Sequence, residues 1–289
     1  MVIFMNIQWF PGHMAKTKKI LTENLKLVDI VLELLDARIP ASSKNPEIDN
    51  IVKNKPRLIL LNKSDLADEN VSKEWRKWYN EQGHSCIFVD SIKGKGINEI
   101  KAKMREMMKE KLDRERQKGR IFRPIKTMVV GIPNVGKSSF INKIAGKASA
   151  VTGDRPGVTK GKQWIRINEE IILLDTPGIL WPKFEDEKVG LNLAYTGAIK
   201  DEILDTEELA VSLMAKLAST YPKYLSERFK IEVNKEKSGL QLLEEAARKR
   251  GCIISKGEID YSRISAIVLD EFRGLKIVRI SLERPDDIN

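Results

Sequence analysis

Cysteine is scarce in this chain: Cys86 and Cys252 are the only two among 289 residues. They are too few and too far apart for a disulfide framework or a four-ligand zinc site, and they fit a reducing compartment. Long apolar runs are also missing. No stretch approaches the roughly 20 consecutive apolar residues that cross a bilayer, so no membrane span is expected. The apolar N-terminal segment 1–10 is interrupted by Asn6 and Gln8, has no basic residues before it and no small-residue cleavage site after it, and does not read as a secretory signal. No internal repeat and no low-complexity tract is present.

What is there is a chain of about two domains on the length prior, 42% hydrophobic and hence able to bury a sizeable core. Its formal charge is +10, which makes an acidic partner such as nucleic acid worth testing. The excess is not evenly spread: residues 1–189 hold 35 basic and 24 acidic side chains, residues 190–289 hold 16 and 17. The densest basic stretch, 101–126, reads first as a solvated amphipathic helix with Ile97, Ile100, Met104, Met107, Met108 and Leu112 as its apolar stripe. A nucleic-acid contact on its outer face is compatible with that reading.

Apolar runs at 30–35, 58–61, 86–89, 128–130, 164–167 and 171–174 suit buried strands, mostly parallel. Helical patterns at 17–27, 47–52, 72–82, 98–118 and 137–145 alternate with them, which predicts a doubly wound α/β domain over 1–189. Residues 190–289 change to a small helical domain. Asp205 with Glu208 and Ser238 with Gln241 mark two helix starts, Gly251 a helix end, and a third helix is expected over 260–273 before a final extended piece, 276–282.

GIPNVGKS at 131–138 matches the phosphate loop GxxxxGK[ST], after a strand and opening a helix. Its glycines let the backbone amides of Asn134, Val135, Gly136, Lys137, Ser138 and Ser139 surround phosphates. The Lys137 amine then reaches the β/γ oxygens, where it is a candidate catalytic group, and the Ser138 hydroxyl meets Mg²⁺. The loop alone does not separate ATP from GTP. NKSD at 62–65, at a strand end, does: the Asp65 carboxylate accepts from guanine N1–H and the 2-amino group, a donor pair adenine lacks. Asp65→Asn is accordingly expected to shift preference towards xanthosine nucleotides. Asn62 would serve the O6/N7 side and brace the phosphate loop, the stem of Lys63 would cover the base, and Ser64 completes the turn. After the next strand, Ser91 and Ile92 offer backbone amides to guanine O6. DTPG at 175–178 places Asp175 as an Mg²⁺ ligand through water and the Gly178 amide as a γ-phosphate sensor, while Thr159 is a second Mg²⁺ ligand on a mobile switch. The guanine elements precede the phosphate loop, the reverse of GTPases such as Ras, so the domain reads as circularly permuted.

WFPGHMAK at 9–16, DAR at 36–38, NKSD, GIPNVGKSS and DTPG, in this order, resemble the YlqF/RbgA family of circularly permuted ribosome-assembly GTPases over nearly the full chain. The resemblance implies a circularly permuted P-loop GTPase domain with a six-stranded sheet, followed by a helical module that binds RNA. It further implies action on a late precursor of the large (50S) ribosomal subunit and its rRNA. The lack of an Arg- and Ser-rich presequence favours the bacterial cytoplasm, and a monomer is expected off the ribosome. Residues 248–250 with Arg263, Arg273, Lys276 and Arg279 are the candidate basic patch of the helical part. The position after Gly178, where Ras-like enzymes carry a water-orienting Gln, holds Ile179 and Leu180. His13, in a Pro-Gly-His segment, is the candidate replacement. Asn134 resembles the asparagine that coordinates K⁺ in cation-dependent GTPases. The competing readings are a GTP-binding RNA scaffold whose hydrolysis is dispensable, and an ATPase, which Asp65 disfavours.

Overall fold

The computed structural model describes residues 14–52, 55–119, 123–146, 163–176, 186–274 and 278–288. By internal packing the chain forms two compact units, one built from Gln8–Lys183 together with Glu283–Asn289, the other from Phe184–Leu282.

The first unit is an α/β sandwich. Its strands are β1 (Ile30–Asp36), β2 (Arg57–Asn62), β3 (Ser85–Phe88), β4 (Ile125–Gly131), β5 (Gln163–Arg166) and β6 (Ile171–Asp175). They lie in one sheet in the order β3-β2-β1-β4-β6-β5, parallel except for β5, which pairs antiparallel with β6. β1, IVLELLD, is buried along its whole length, as a central parallel strand covered on both faces must be.

Val28, Val31, Met128 and Leu174 pack with Leu21 of α1 (Met14–Leu25) and with Ile48 and Val52 of α2 (Pro46–Val52). On the same face, Leu35, Ile59 and Leu61 pack with Val71, Trp75 and Tyr79 of α3 (Glu69–Glu81). α4 (Ile97–Gln117) buries Ile97, Ile100, Met104 and Met108, the core of the expected stripe, and α5 (Lys137–Ala145) leads out of the phosphate loop. The chain leaves β1 in one direction along the sheet and β4 in the other. Right-handed connections therefore put the following helices on opposite faces and open a crevice between the C-terminal ends of β1 and β4.

The second unit contains α6 (Glu187–Tyr195), α7 (Thr206–Thr220), α8 (Pro222–Phe229), α9 (Gly239–Arg250) and α10 (Tyr261–Arg273). Leu209, Leu213 and Leu217 of α7 are fully buried, at the four-residue spacing of a helix stripe. Asp205 caps α7 by accepting from the Glu207 and Glu208 amides. Ser238 and Gln241 form both bonds of a capping box on α9, which stops at Gly251 with φ +65°. Two helices, α6 and α8, were not expected. α6 buries Gly190 and Asn192 beside its apolar residues, which hides the period, and α8 has only eight residues with Leu225 and Phe229 buried. Among the described residues no helix is long and apolar enough to cross a membrane.

The nucleotide cleft at the carboxyl edge of the sheet

β1, β2, β3, β4 and β6 all run parallel, so the segments after them gather at one edge. The register levels these ends: Asp36 lies opposite Asn62, and Leu34 opposite Gly131. That is where a doubly wound sheet binds ligands.

The structure joins the guanine motif to the phosphate loop. Asn62, 1% exposed, donates from Nδ2 to the Val135 carbonyl at 2.7 Å and accepts the Ser91 hydroxyl on Oδ1 at 2.7 Å. One buried amide thus ties together the turns after β2, β3 and β4. It also explains Gly136: a Cβ there would sit 2.5 Å from Asn62 Nδ2, and its φ of +98° is one that side chains rarely adopt. Lys137 donates to the carbonyls of Gly131 at 3.1 Å and Ile132 at 2.6 Å, so its amine lies in the curl of its own loop. Asn134 is exposed with φ +55°, while Ser138 and Ser139 stand in the first turn of α5.

Lys63, also left-handed at φ +57°, places its amine 3.1 Å from Asp36 Oδ2. Arg38 grips the same carboxylate, Nε to Oδ1 at 2.9 Å and Nη2 to Oδ2 at 2.8 Å, and adds its backbone N–H at 3.1 Å. Burial by itself would raise the Asp36 pKa, but the charges of Arg38 and Lys63 and the Arg38 hydrogen bonds outweigh it and hold the carboxyl well below the usual range. This buried ion cluster at Lys63 had no assigned role in the sequence, where DAR stood only as part of a resemblance. Asp65 is half-buried, and its carboxylate makes no hydrogen bond or ion pair with any described residue. Ile92 is 79% exposed, and its N–H donates to Asp90 Oδ1 at 2.9 Å.

Asp175 is the last residue of β6, next to β4, and Thr176 after it bonds the Val129 carbonyl through its hydroxyl. Ser138, in the first turn of α5 after β4, and Asp175, at the end of β6, therefore belong to segments at neighbouring strands. Among the described residues no group of three or more His, Cys, Asp or Glu side chains forms a metal cage. His13, Thr159 and Gly178 lie outside the described residues.

Five of the seven cations of α4 stand in ion pairs, most of them exposed. Lys103 pairs with Glu106, Arg105 with Glu170, Lys111 with Asp29, Arg114 with Glu110 and Arg116 with Asp113. In the helical unit Arg250 is bonded to Glu271, and Arg273 to Asp201. Two members of the candidate patch thus hold helices together.

Residues 126–236 match the family model described as 50S ribosome-binding GTPase. Over 284 residues the chain is 49% identical to the ribosome biogenesis GTPase A of Bacillus licheniformis, covering 98% of this chain and 100% of that one. To the same protein of Priestia megaterium it is 50% identical, with 98% of each covered. The fold is similar to a GDP-bound structure of TM YlqF, at TM-score 0.65 and 28% identity over 92% of this chain and 99% of that one. With the phosphate loop and guanine motif joined at one sheet edge, these likenesses show that the chain belongs to the ribosome biogenesis GTPase A (YlqF/RbgA) family of GTP hydrolases.

Proposed function

We propose that this GTP hydrolase is a timing switch in late assembly of the large ribosomal subunit. The observation that carries the reading is the Asn62 side chain bonded to Val135, because it makes base recognition and phosphate binding a single rigid site. In this reading Asp65 selects guanine, Asn62 and Ser91 shape the base pocket with Lys63, Ser64 and Ile92, and the amides of residues 134–139 hold the phosphates. Ser138, Thr159 and Asp175 would hold Mg²⁺, and the ion would supply positive charge against the phosphates. Lys137 supplies a second positive charge there, and Asn134 provides an oxygen for K⁺.

Neither Ile179 nor Leu180 can orient water, so His13 positions the attacking water by accepting a hydrogen bond from it. Without the partner particle, turnover is slow, on the order of 10⁻⁴–10⁻³ per second as in unstimulated Ras. GTP orders Thr159 and Gly178, and the ordered state favours docking of the whole protein on precursor rRNA. Residues 1–189 act as the switch and residues 190–289 as the RNA-contacting part, and hydrolysis releases the protein in the bacterial cytoplasm.

The test is GTP turnover of the purified protein in K⁺ and in Na⁺ buffer, with and without large ribosomal subunits or their late precursors. Strong stimulation in K⁺ that disappears in His13→Ala is the expected result. Unstimulated turnover with intact GTP binding would favour the scaffold reading, in which hydrolysis-dead variants still complete assembly.

A further inference from the structure

The last residues of the chain belong to the GTPase unit, and Glu283 is where they enter it. Its carboxylate is 4% exposed and is surrounded by donors from the loop after β1. The Ala41 N–H donates to Oε2 at 2.8 Å, the Ser42 N–H to both oxygens at 3.1 Å, and the Ser42 hydroxyl to Oε1. The Glu283 carbonyl accepts from Trp75 Nε1 of α3 at 3.1 Å, and Arg284 pairs with Glu74 of the same helix. Two consecutive amides and a hydroxyl on one buried carboxylate form an anion nest filled by the chain's own side chain.

The loop so held is the one that builds the Asp36 cluster. The next residue, Ser43, accepts the Asp36 N–H on its hydroxyl at 3.0 Å and bonds the Ile39 carbonyl through its own N–H at 2.9 Å. Asp36 in turn holds Lys63, whose left-handed backbone needs an external tie to stay in place. Glu283 to Ser42, along the chain to Ser43, and on to Asp36 and Lys63, one run of contacts thus lies inside the GTPase unit. On the other side of the junction, Ser281 is anchored within the helical unit: its N–H and C=O both bond the Tyr221 hydroxyl, at 3.0 and 3.1 Å. One residue, Leu282, separates the two anchors.

We propose that Glu283 is a positioning residue for guanine-nucleotide binding, acting through the loop of residues 41–43 and Asp36 on Lys63. The proposal rests on the reading that Lys63 covers the guanine base. Glu283→Gln keeps the size of the side chain but removes the charge and leaves a loop donor facing an amide N–H. A loop that then relaxes frees Asp36 and lets Lys63 leave the base.

Affinity of the full-length protein for a fluorescent GDP, together with GTP turnover at saturation, tests this. Glu283→Gln should weaken GDP binding by roughly tenfold, the equivalent of about 1.4 kcal/mol and one charge-assisted hydrogen bond. Turnover at saturating GTP should stay within about twofold, because the lost interaction is uniform binding. Lys63→Ala, which removes the stem as well as the amine, should weaken binding too, and Glu283→Gln should add little on top of it. Ser43→Ala breaks the same run with a smaller change and should act in the same direction, which keeps the test valid if Glu283→Gln does not fold.

Unaltered affinity in Glu283→Gln or in Ser43→Ala, with Lys63→Ala weakened, overturns the positioning role and leaves the base reading standing. Unaltered affinity in Lys63→Ala removes the base reading and the proposal with it. A full additional loss from Glu283→Gln in the Lys63→Ala background shows that the effect does not pass through Lys63.

Discussion

At the scale of single residues, the charged side chains inside the sheet domain divide into two kinds. Asp36 is buried with two cations and stays ionised. Glu33, three residues earlier on β1, is buried with less support. Arg57 reaches its Oε2 at 3.1 Å, but Arg57 also serves Asp49 and contacts His84 Nε2 at 3.1 Å, and Glu33 Oε1 has no hydrogen-bond partner among the described residues. Burial therefore dominates and raises the Glu33 pKa to about 7, against the opposing charges of Arg57 and Lys44 and with a smaller push from Asp49.

The sign of the consequence follows. Between about 4.5 and about 7 the unfolded chain releases a proton that the folded chain keeps, so Glu33 stabilises the fold less as pH rises through that window, by up to about 1.4 kcal/mol per pH unit. Glu33→Gln lacks this term. Urea unfolding at pH 5, 6, 7 and 8 should show the variant gaining on the wild type with rising pH. A constant difference would mean that Glu33 does not titrate there. His84, with its pKa lowered by burial and by Arg57, is present in both proteins. Cys86 is silent in this range, since burial pushes its thiol up to about 12.

At the scale of elements, caps and stripes were legible because they are local. The Ser238 hydroxyl accepts from Gln241 N–H at 3.3 Å and the Gln241 side chain accepts from Ser238 N–H at 2.8 Å, so two otherwise unpaired amides at the start of α9 are satisfied within four residues. Ser238→Ala should cost about 1 kcal/mol, read as a lower urea midpoint with an unchanged slope. A loss near zero would mean that water replaces the cap without penalty. α4 shows the limit of local reading. Its apolar stripe was visible in sequence, but the fate of its charges was not, because partners such as Asp29 and Glu170 lie on distant segments.

At the scale of the whole molecule, the chain leaves the GTPase unit, forms the helical unit and returns at Glu283. The formal charge of +10 already nets out every ion pair, so pairs such as Arg228 and Arg250 with Glu271 decide where the excess lies rather than how large it is. If phosphate contacts dominate the proposed rRNA binding, log affinity should fall linearly with log salt, with a slope of roughly 0.7 to 0.9 per contact. Binding to precursor particles measured from low to high KCl decides this. A flat dependence would point to recognition through uncharged groups instead.

The strands, the phosphate loop and the NKSD turn at 62–65 were legible in the sequence. Buried parallel strands leave continuous apolar runs, and phosphate and guanine contacts need particular residue types at short fixed spacings. It also showed the permuted order, which is a fact of chain order alone. Only the tertiary structure decided that Asn62 bonds Val135, 73 residues away, and that Glu283 holds Ala41 and Ser42 from about 240 residues further along. Such contacts depend on where the sheet brings separate loops. A lone glutamate near a C-terminus carries no local signature of the donors that fold onto it.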